Sequence, residues 1–99
     1  MNRVVTCSSL EEVRTRIDRL DRQIVGLVAE RGGYVRQAAR FKRNADEVQA
    51  PQRVAQVLAK VEGLALEQGA DPQVVEALYR AMIAAFIEAE LAEQARLDY

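Results

Sequence analysis

The sequence predicts an all-α fold, a single domain over residues 1–99 made of three helices, the first of them very long. Three observations predict it. Apolar residues recur at three- and four-residue intervals along most of the chain, the spacing that lines one face of a helix. Pro51, Gly69 and the Asp71-Pro72 pair interrupt that pattern where helices should begin and end. No stretch carries the two-residue alternation of a strand, and there are no repeats or low-complexity tracts.

Ser9 followed by Glu12 forms a capping box, which starts the first helix at Leu10. From there the inner heptad positions read Leu10, Val13, Ile17, Leu20, Ile24, Leu27, Arg31, Tyr34, Ala38 and Phe41, and nine of these ten are apolar. The exception, Arg31, is always charged. Leaving a guanidinium unpaired in an apolar stripe is costly, so Arg31 should be paired or should meet a ligand. The heptads carry the helix to Phe41–Lys42. Gly32-Gly33 is expected on the outer face, at a cost of roughly 1 kcal/mol per glycine relative to alanine. The register continues in phase across it, so one helix is expected. Such a helix is ~50 Å long, whereas a compact domain of this size has a radius of gyration of only ~13 Å. It should overhang its own core, and a partner chain is the simplest cover for the protruding seam.

Arg43–Ala50 reads as a polar loop. Pro51 opens the second helix, whose apolar face is Val54, Val57, Leu58, Val61, Leu64 and Ala65, and Gly69 ends it. Asp71 caps and Pro72 opens the third, with a stripe of Val75, Leu78, Tyr79, Met82, Ile83 and Phe86, then Glu90 and Glu93. Tyr34, Tyr79 and Phe86 read as core.

Composition narrows the function. The chain is 49% hydrophobic and 29% charged, which suits a folded soluble domain, and its net charge of −1 argues against a dedicated nucleic-acid binder. No apolar run approaches the ~20 residues that span a bilayer. Met1–Cys7 is too short and too polar for a secretory signal, and a single cysteine fits a reducing cytoplasm. With no histidine and one cysteine, zinc-ligand spacings and Ser-His or Cys-His nucleophile arrangements are missing. Phosphate-cradling glycine motifs are also missing. Chemistry falls to Arg, Lys, Glu, Asp or Tyr, and no metal or cofactor is expected.

Several of these lie on or beside the stripes. Lys42 follows Arg31 by eleven residues, close to three turns, so the two point the same way from backbones ~16 Å apart. A small anion would fit between them. Glu90 lies four residues after Phe86 on the third stripe. Arg14 flanks the seam but is ~25 Å from Arg31 along the helix. In one chain it cannot reach the same ligand, whereas in an antiparallel pair of long helices Arg14 of one copy approaches Arg31 of the other. Plainer readings stand beside these. Arg14 among Arg16, Arg19 and Arg22, and Lys42 among Arg36, Arg40 and Arg43, also read as solvated charge. Arg31 and Glu90 also fit a structural ion pair.

Arg14, Arg31 and Lys42 on one long helix, a polar loop, Arg53 after a proline and Glu90 on the last helix resemble the all-helical chorismate mutase family over nearly the whole chain. The resemblance implies an intertwined homodimer and a small dicarboxylate substrate. Arg14 would be donated across the interface, and with the local Arg31 would hold the substrate carboxylates. Lys42 would face the ether oxygen of the enolpyruvyl group, with Glu90 as companion donor and Arg53 as a further carboxylate or loop contact. Arg40-Phe41-Lys42 and the segment Ala50–Val54 are similar to the isochorismate-pyruvate lyase branch of that family. Val54 stands where typical mutases place a glutamate on the ring hydroxyl, and Phe86 where many place a polar contact. Glu90, in contrast, departs from the glutamine of the lyases.

The expected function is therefore a chorismate mutase, rearranging chorismate to prephenate, with isochorismate cleavage to salicylate and pyruvate as the alternative. Both reactions are pericyclic and need no nucleophile. The protein must hold a flexible dianion in its reactive shape and stabilise charge growing on the ether oxygen. Planar arginine forks suit carboxylates, and a lysine point charge suits the oxygen. As a carboxylate, Glu90 would repel that oxygen, so turnover should fall as pH rises. Two alternatives from other classes are a non-catalytic dimeric helical binding module and a regulatory domain that binds such a metabolite without turning it over.

Overall fold

A computed structural model describes residues 4–97, with the Leu97 side chain left out of the description. Of the lead-in expected over Met1–Ser8, residues 1–3 lie outside the described part. Among the described residues there are three long helices, one short one and no strand. They are α1 (Leu10–Ala39), α2 (Ala45–Gln49), α3 (Pro51–Gln68) and α4 (Pro72–Leu97). None is long and apolar enough to cross a membrane.

The ends of these helices follow from local chemistry. Ser9 Oγ accepts from the Glu12 amide at 3.1 Å, and Glu12 Oε2 accepts from the Ser8 amide at 3.1 Å and the Ser8 hydroxyl at 3.2 Å. These bonds satisfy amides that the first helical turn leaves open. The Ser8 amide, and next its hydroxyl, hold the Glu12 carboxyl below the usual carboxylate range. α1 runs through Gly32-Gly33 without a break for 30 residues and ends at Ala39, earlier than the expected Phe41–Lys42. The Arg40, Phe41 and Lys42 amides bond three residues back, to Gln37, Ala38 and Ala39, at 3.0–3.2 Å. That tightened turn carries Lys42 round onto the same side as the rest of the molecule and leaves Phe41 83% exposed instead of on the seam.

The expected loop over Arg43–Ala50 is instead mostly α2. Asn44 Oδ1 accepts from the Glu47 amide at 3.0 Å while Glu47 accepts from the Arg43 amide, a second capping box. Val48 anchors this short helix at 3% exposure. Ala50, with φ 39° and ψ 61°, turns the chain from α2 into α3 in the left-handed region, which costs a non-glycine residue about 1 kcal/mol or more. Pro51 then opens α3 with its φ already helical. Gly69, at φ 75°, closes it, with the Ala70 amide reaching Ala65 O at 2.8 Å. Asp71 Oδ1 accepts from the Gln73 amide at 2.9 Å and caps α4, which folds back along α3.

The core is small. Val48, Val61, Ala65 and Ile83 bring together α2, α3 and α4. α1 joins them only through its C-terminal part, against α4. Every residue from Val13 to Glu30 is exposed, including Ile17, Leu20, Ile24 and Leu27 at 48–64%. The chain is accordingly 57 × 26 × 17 Å with a radius of gyration of 16.9 Å, well above the ~13 Å of a compact domain. The aromatics read as core are not buried in the single chain: Tyr34 is 67% exposed, and Tyr79 and Phe86 are half-buried. Gly32 departs from expectation in the other direction, being buried against α4 and not on an outer face.

Candidate active site

Where α1 meets α4, the two helices and the α2–α3 corner border a half-open cavity of about 390 Å³. Its charged lining is Arg31, Lys42, Arg53 and Glu90. Three cations against one carboxylate give a net charge of +2 (3 − 1) within walls made largely of Val54, Ile83, Phe86 and similar apolar side chains. Low-dielectric walls strengthen the attraction of those cations for a bound anion.

Each charged group is held differently. Lys42, delivered by the tight turn after α1, donates from Nζ to Glu90 Oε2 at 3.0 Å and to Oε1 at 3.4 Å. The Glu90 side chain is 8% exposed and that of Lys42 23%, so this is a largely desolvated pair. Its partners therefore depend on each other: removing either strands the other away from water. Arg31 projects from α1 over two rings of α4, its Cζ 5.9 Å from the centre of Tyr79 and 5.7 Å from that of Phe86. The ring faces attract the cation electrostatically without neutralising it. Among the described residues no carboxylate pairs with Arg31. The reading of Arg31 and Glu90 as a structural ion pair is thus overturned, because the turn at Phe41–Lys42 brings Lys42 to Glu90 instead. Arg53, exposed on the first turn of α3, sits at the cavity wall, also with no carboxylate partner among the described residues.

The structure thus brings together three of the residues picked out by spacing, Arg31, Lys42 and Glu90, with Arg53, which the family resemblance points to. It does not bring Arg14 to them within one chain. Arg14 is exposed on the free part of α1, seventeen residues and ~25 Å from Arg31. Sequence reasoning missed Val48, Gln49 and Ala50, which line the cavity from the α2 corner. The Asn44–Glu47 capping box was the available signal for them. It also missed the burial of Gly32, because the heptad count puts the glycine pair on the outer face.

A cavity with surplus positive charge and one part-buried lysine–carboxylate pair is suited to holding a small dianion. Comparison with known proteins gives the same direction. Residues 13–91 match the family described as chorismate mutase type II, which takes in α1 from Val13, the whole α2–α3 corner and α4 through Leu91. An isochorismate pyruvate lyase of Pseudomonas aeruginosa is 36% identical over 85 residues, covering 86% of this chain and 84% of the relative. A match spanning all four cavity charges, on an all-helical scaffold, places the chain in that family: it is a member of the chorismate mutase type II family.

Proposed function

We propose that the protein binds a chorismate-type dicarboxylate in the cavity between α1 and α4 and converts it by a pericyclic reaction, in a homodimer whose two sites each use both chains. The observation that carries this reading is the set of Arg31, Lys42, Arg53 and Glu90 around one cavity of net charge +2, opposite in sign and equal in size to the charge of such a guest. The exposed seam from Leu10 to Leu27 supports the dimer, since apolar stripes of this length are stabilised by a partner.

In this reading Arg31 holds one carboxylate, kept in place by the rings beneath it yet uncommitted to any acid of its own. Arg14 of the partner subunit holds the other, and Arg53 adds a contact from α3. Lys42 donates to the ether oxygen. As the C–O bond breaks, negative charge grows on that oxygen, and a donor already aimed at it stabilises the transition state more than the ground state. For chorismate, a new C–C bond forms as the C–O bond breaks, giving prephenate. Glu90 accepts from Lys42 and holds it in position.

Isochorismate is the second substrate reading. There the C–O bond breaks as a ring hydrogen passes to the enolpyruvyl methylene, leaving salicylate and pyruvate. Two observations favour it: the similarity to the Pseudomonas aeruginosa lyase, and the apolar Val54 and Phe86 on the cavity wall, where many mutases place polar contacts. The test supplies chorismate and isochorismate separately to the purified protein and follows prephenate, salicylate and pyruvate. Prephenate from chorismate is the expected result. Salicylate with pyruvate from isochorismate would assign the lyase reaction. Binding of either compound without product would leave only the regulatory reading.

A further inference from the structure

We propose that Gly32 is a positioning residue for Arg31, acting through Phe86, and that its lack of a side chain sets where the guanidinium stands in the cavity. The inference rests on the pericyclic reading of this site and names a determinant of it which spacing along the helix does not reveal.

Gly32 sits inside α1, with a backbone that is not in the left-handed region, so its conformation does not call for glycine. A helix-interior glycine is unfavourable, and something else should account for it. The neighbouring ring does. A Cβ built at Gly32 would lie 3.1 Å from Phe86 Cε1 and 3.3 Å from Cζ, closer than carbon atoms normally pack. The next glycine is a natural contrast: a Cβ at Gly33 meets only the mobile end of Arg36, at 4.0 Å. The same Phe86 ring stands 5.7 Å from Arg31 Cζ and lines the cavity. Gly32 on α1, Phe86 on α4 and Arg31 on α1 therefore form a chain of contacts. Filling the space at position 32 pushes the ring by a few tenths of an ångström, the open side of the ring is the cavity, and Arg31 moves with its platform. Catalysis that depends on held geometry is sensitive to displacements of this kind, and about 1 Å can cost a hundredfold.

The experiment compares Gly32→Ala with Gly33→Ala, each in the wild-type and Phe86→Leu backgrounds, on the full chain in its native assembly. Arg31 grips the substrate before and during reaction, so Gly32→Ala should raise KM about three- to tenfold while kcat changes less than about twofold. Gly33→Ala should leave KM where it was. With Leu at position 86 there is no ring edge to push, and Gly32→Ala should add little. An activity-independent readout accompanies these: the NMR signal of the Arg31 guanidinium, displaced by the ring currents of Tyr79 and Phe86, should shift in Gly32→Ala and stay put in Gly33→Ala. Should Gly32→Ala fold poorly, the double variant with Phe86→Leu, which relieves the clash, should recover the fold. Equal KM changes in the two alanine variants, or an unmoved guanidinium signal, would overturn the proposal. If the wild type turns over neither substrate, the functional reading fails separately, and the guanidinium signal alone decides the role of Gly32.

Discussion

The free arm of α1 and the cradle around Glu90 break the usual rule of burial in opposite ways. Between Leu10 and Leu27 the arm exposes six apolar heptad positions at 37–64%. In the cradle, a lysine and a glutamate lie mostly out of water and an arginine rests on aromatic rings. Uncovered apolar surface marks a place for another protein, while buried charge marks a place for a polar guest. The difference teaches that the two anomalies are complementary, and in the proposed dimer they meet at one site. The arm carries Arg14, a cation with no ion-pair partner among the described residues, and the cradle has the positive charge that a further arginine from a second chain would extend.

The comparison breaks most completely at the middle of the arm. Ile24→Glu puts a charge on the seam, 51% exposed in the single chain. Dimers should give way to monomers in sedimentation, and turnover should fall by about a hundredfold or more as the partner's arginine is lost. Dimers of full activity would detach the arm from the site. In the cradle, Lys42→Ala leaves Glu90 buried without its partner. It should lower kcat by about a hundredfold and cost about 1–3 kcal/mol of stability, read from denaturant midpoints. Unlike Ile24→Glu, it should leave the association state alone. The smallest effect sharpens the contrast at the start of the arm, where α1 has only its own caps to hold it. The Glu12 carboxyl is held low by Ser8, so its contribution is present above the ordinary carboxylate range and is lost as pH falls through its lowered value. Glu12→Gln should therefore lower the melting temperature slightly at neutral pH, and the gap to wild type should close in acid. A gap that widened in acid would contradict the assignment.

Much of this was legible in the sequence because the chemistry that decides it is local. Ser9, Pro51, Gly69 and Asp71 act within a few residues of themselves, and the structure shows each ending or opening a helix. The seam and the candidacy of Arg31, Lys42 and Glu90 follow from period and count, whereas Arg53 is a candidate from the family resemblance alone. What escaped depends on contacts between elements. Spacing cannot say which helix-borne cation reaches Glu90; the tight turn after Ala39 decides for Lys42. α2 holds a single buried residue, Val48, and so shows no period. Gly32 acts through the space it leaves, which becomes visible only with Phe86 in place. The proposed role of Arg14 requires a second chain, which spacing can suggest but one chain cannot display.

The most direct measurement of the central claim, that each site is built from two chains, uses two crippled proteins. Arg14→Ala and Arg31→Ala subunits are each purified, unfolded together in equal amounts, refolded and assayed. In a mixed dimer one site has both lesions and the other has neither. Random pairing makes half the dimers mixed, so the account predicts recovery of about a quarter of wild-type turnover from two nearly inactive parents. A mixture no more active than the average of its parents, with mixed dimers shown to have formed, would contradict it.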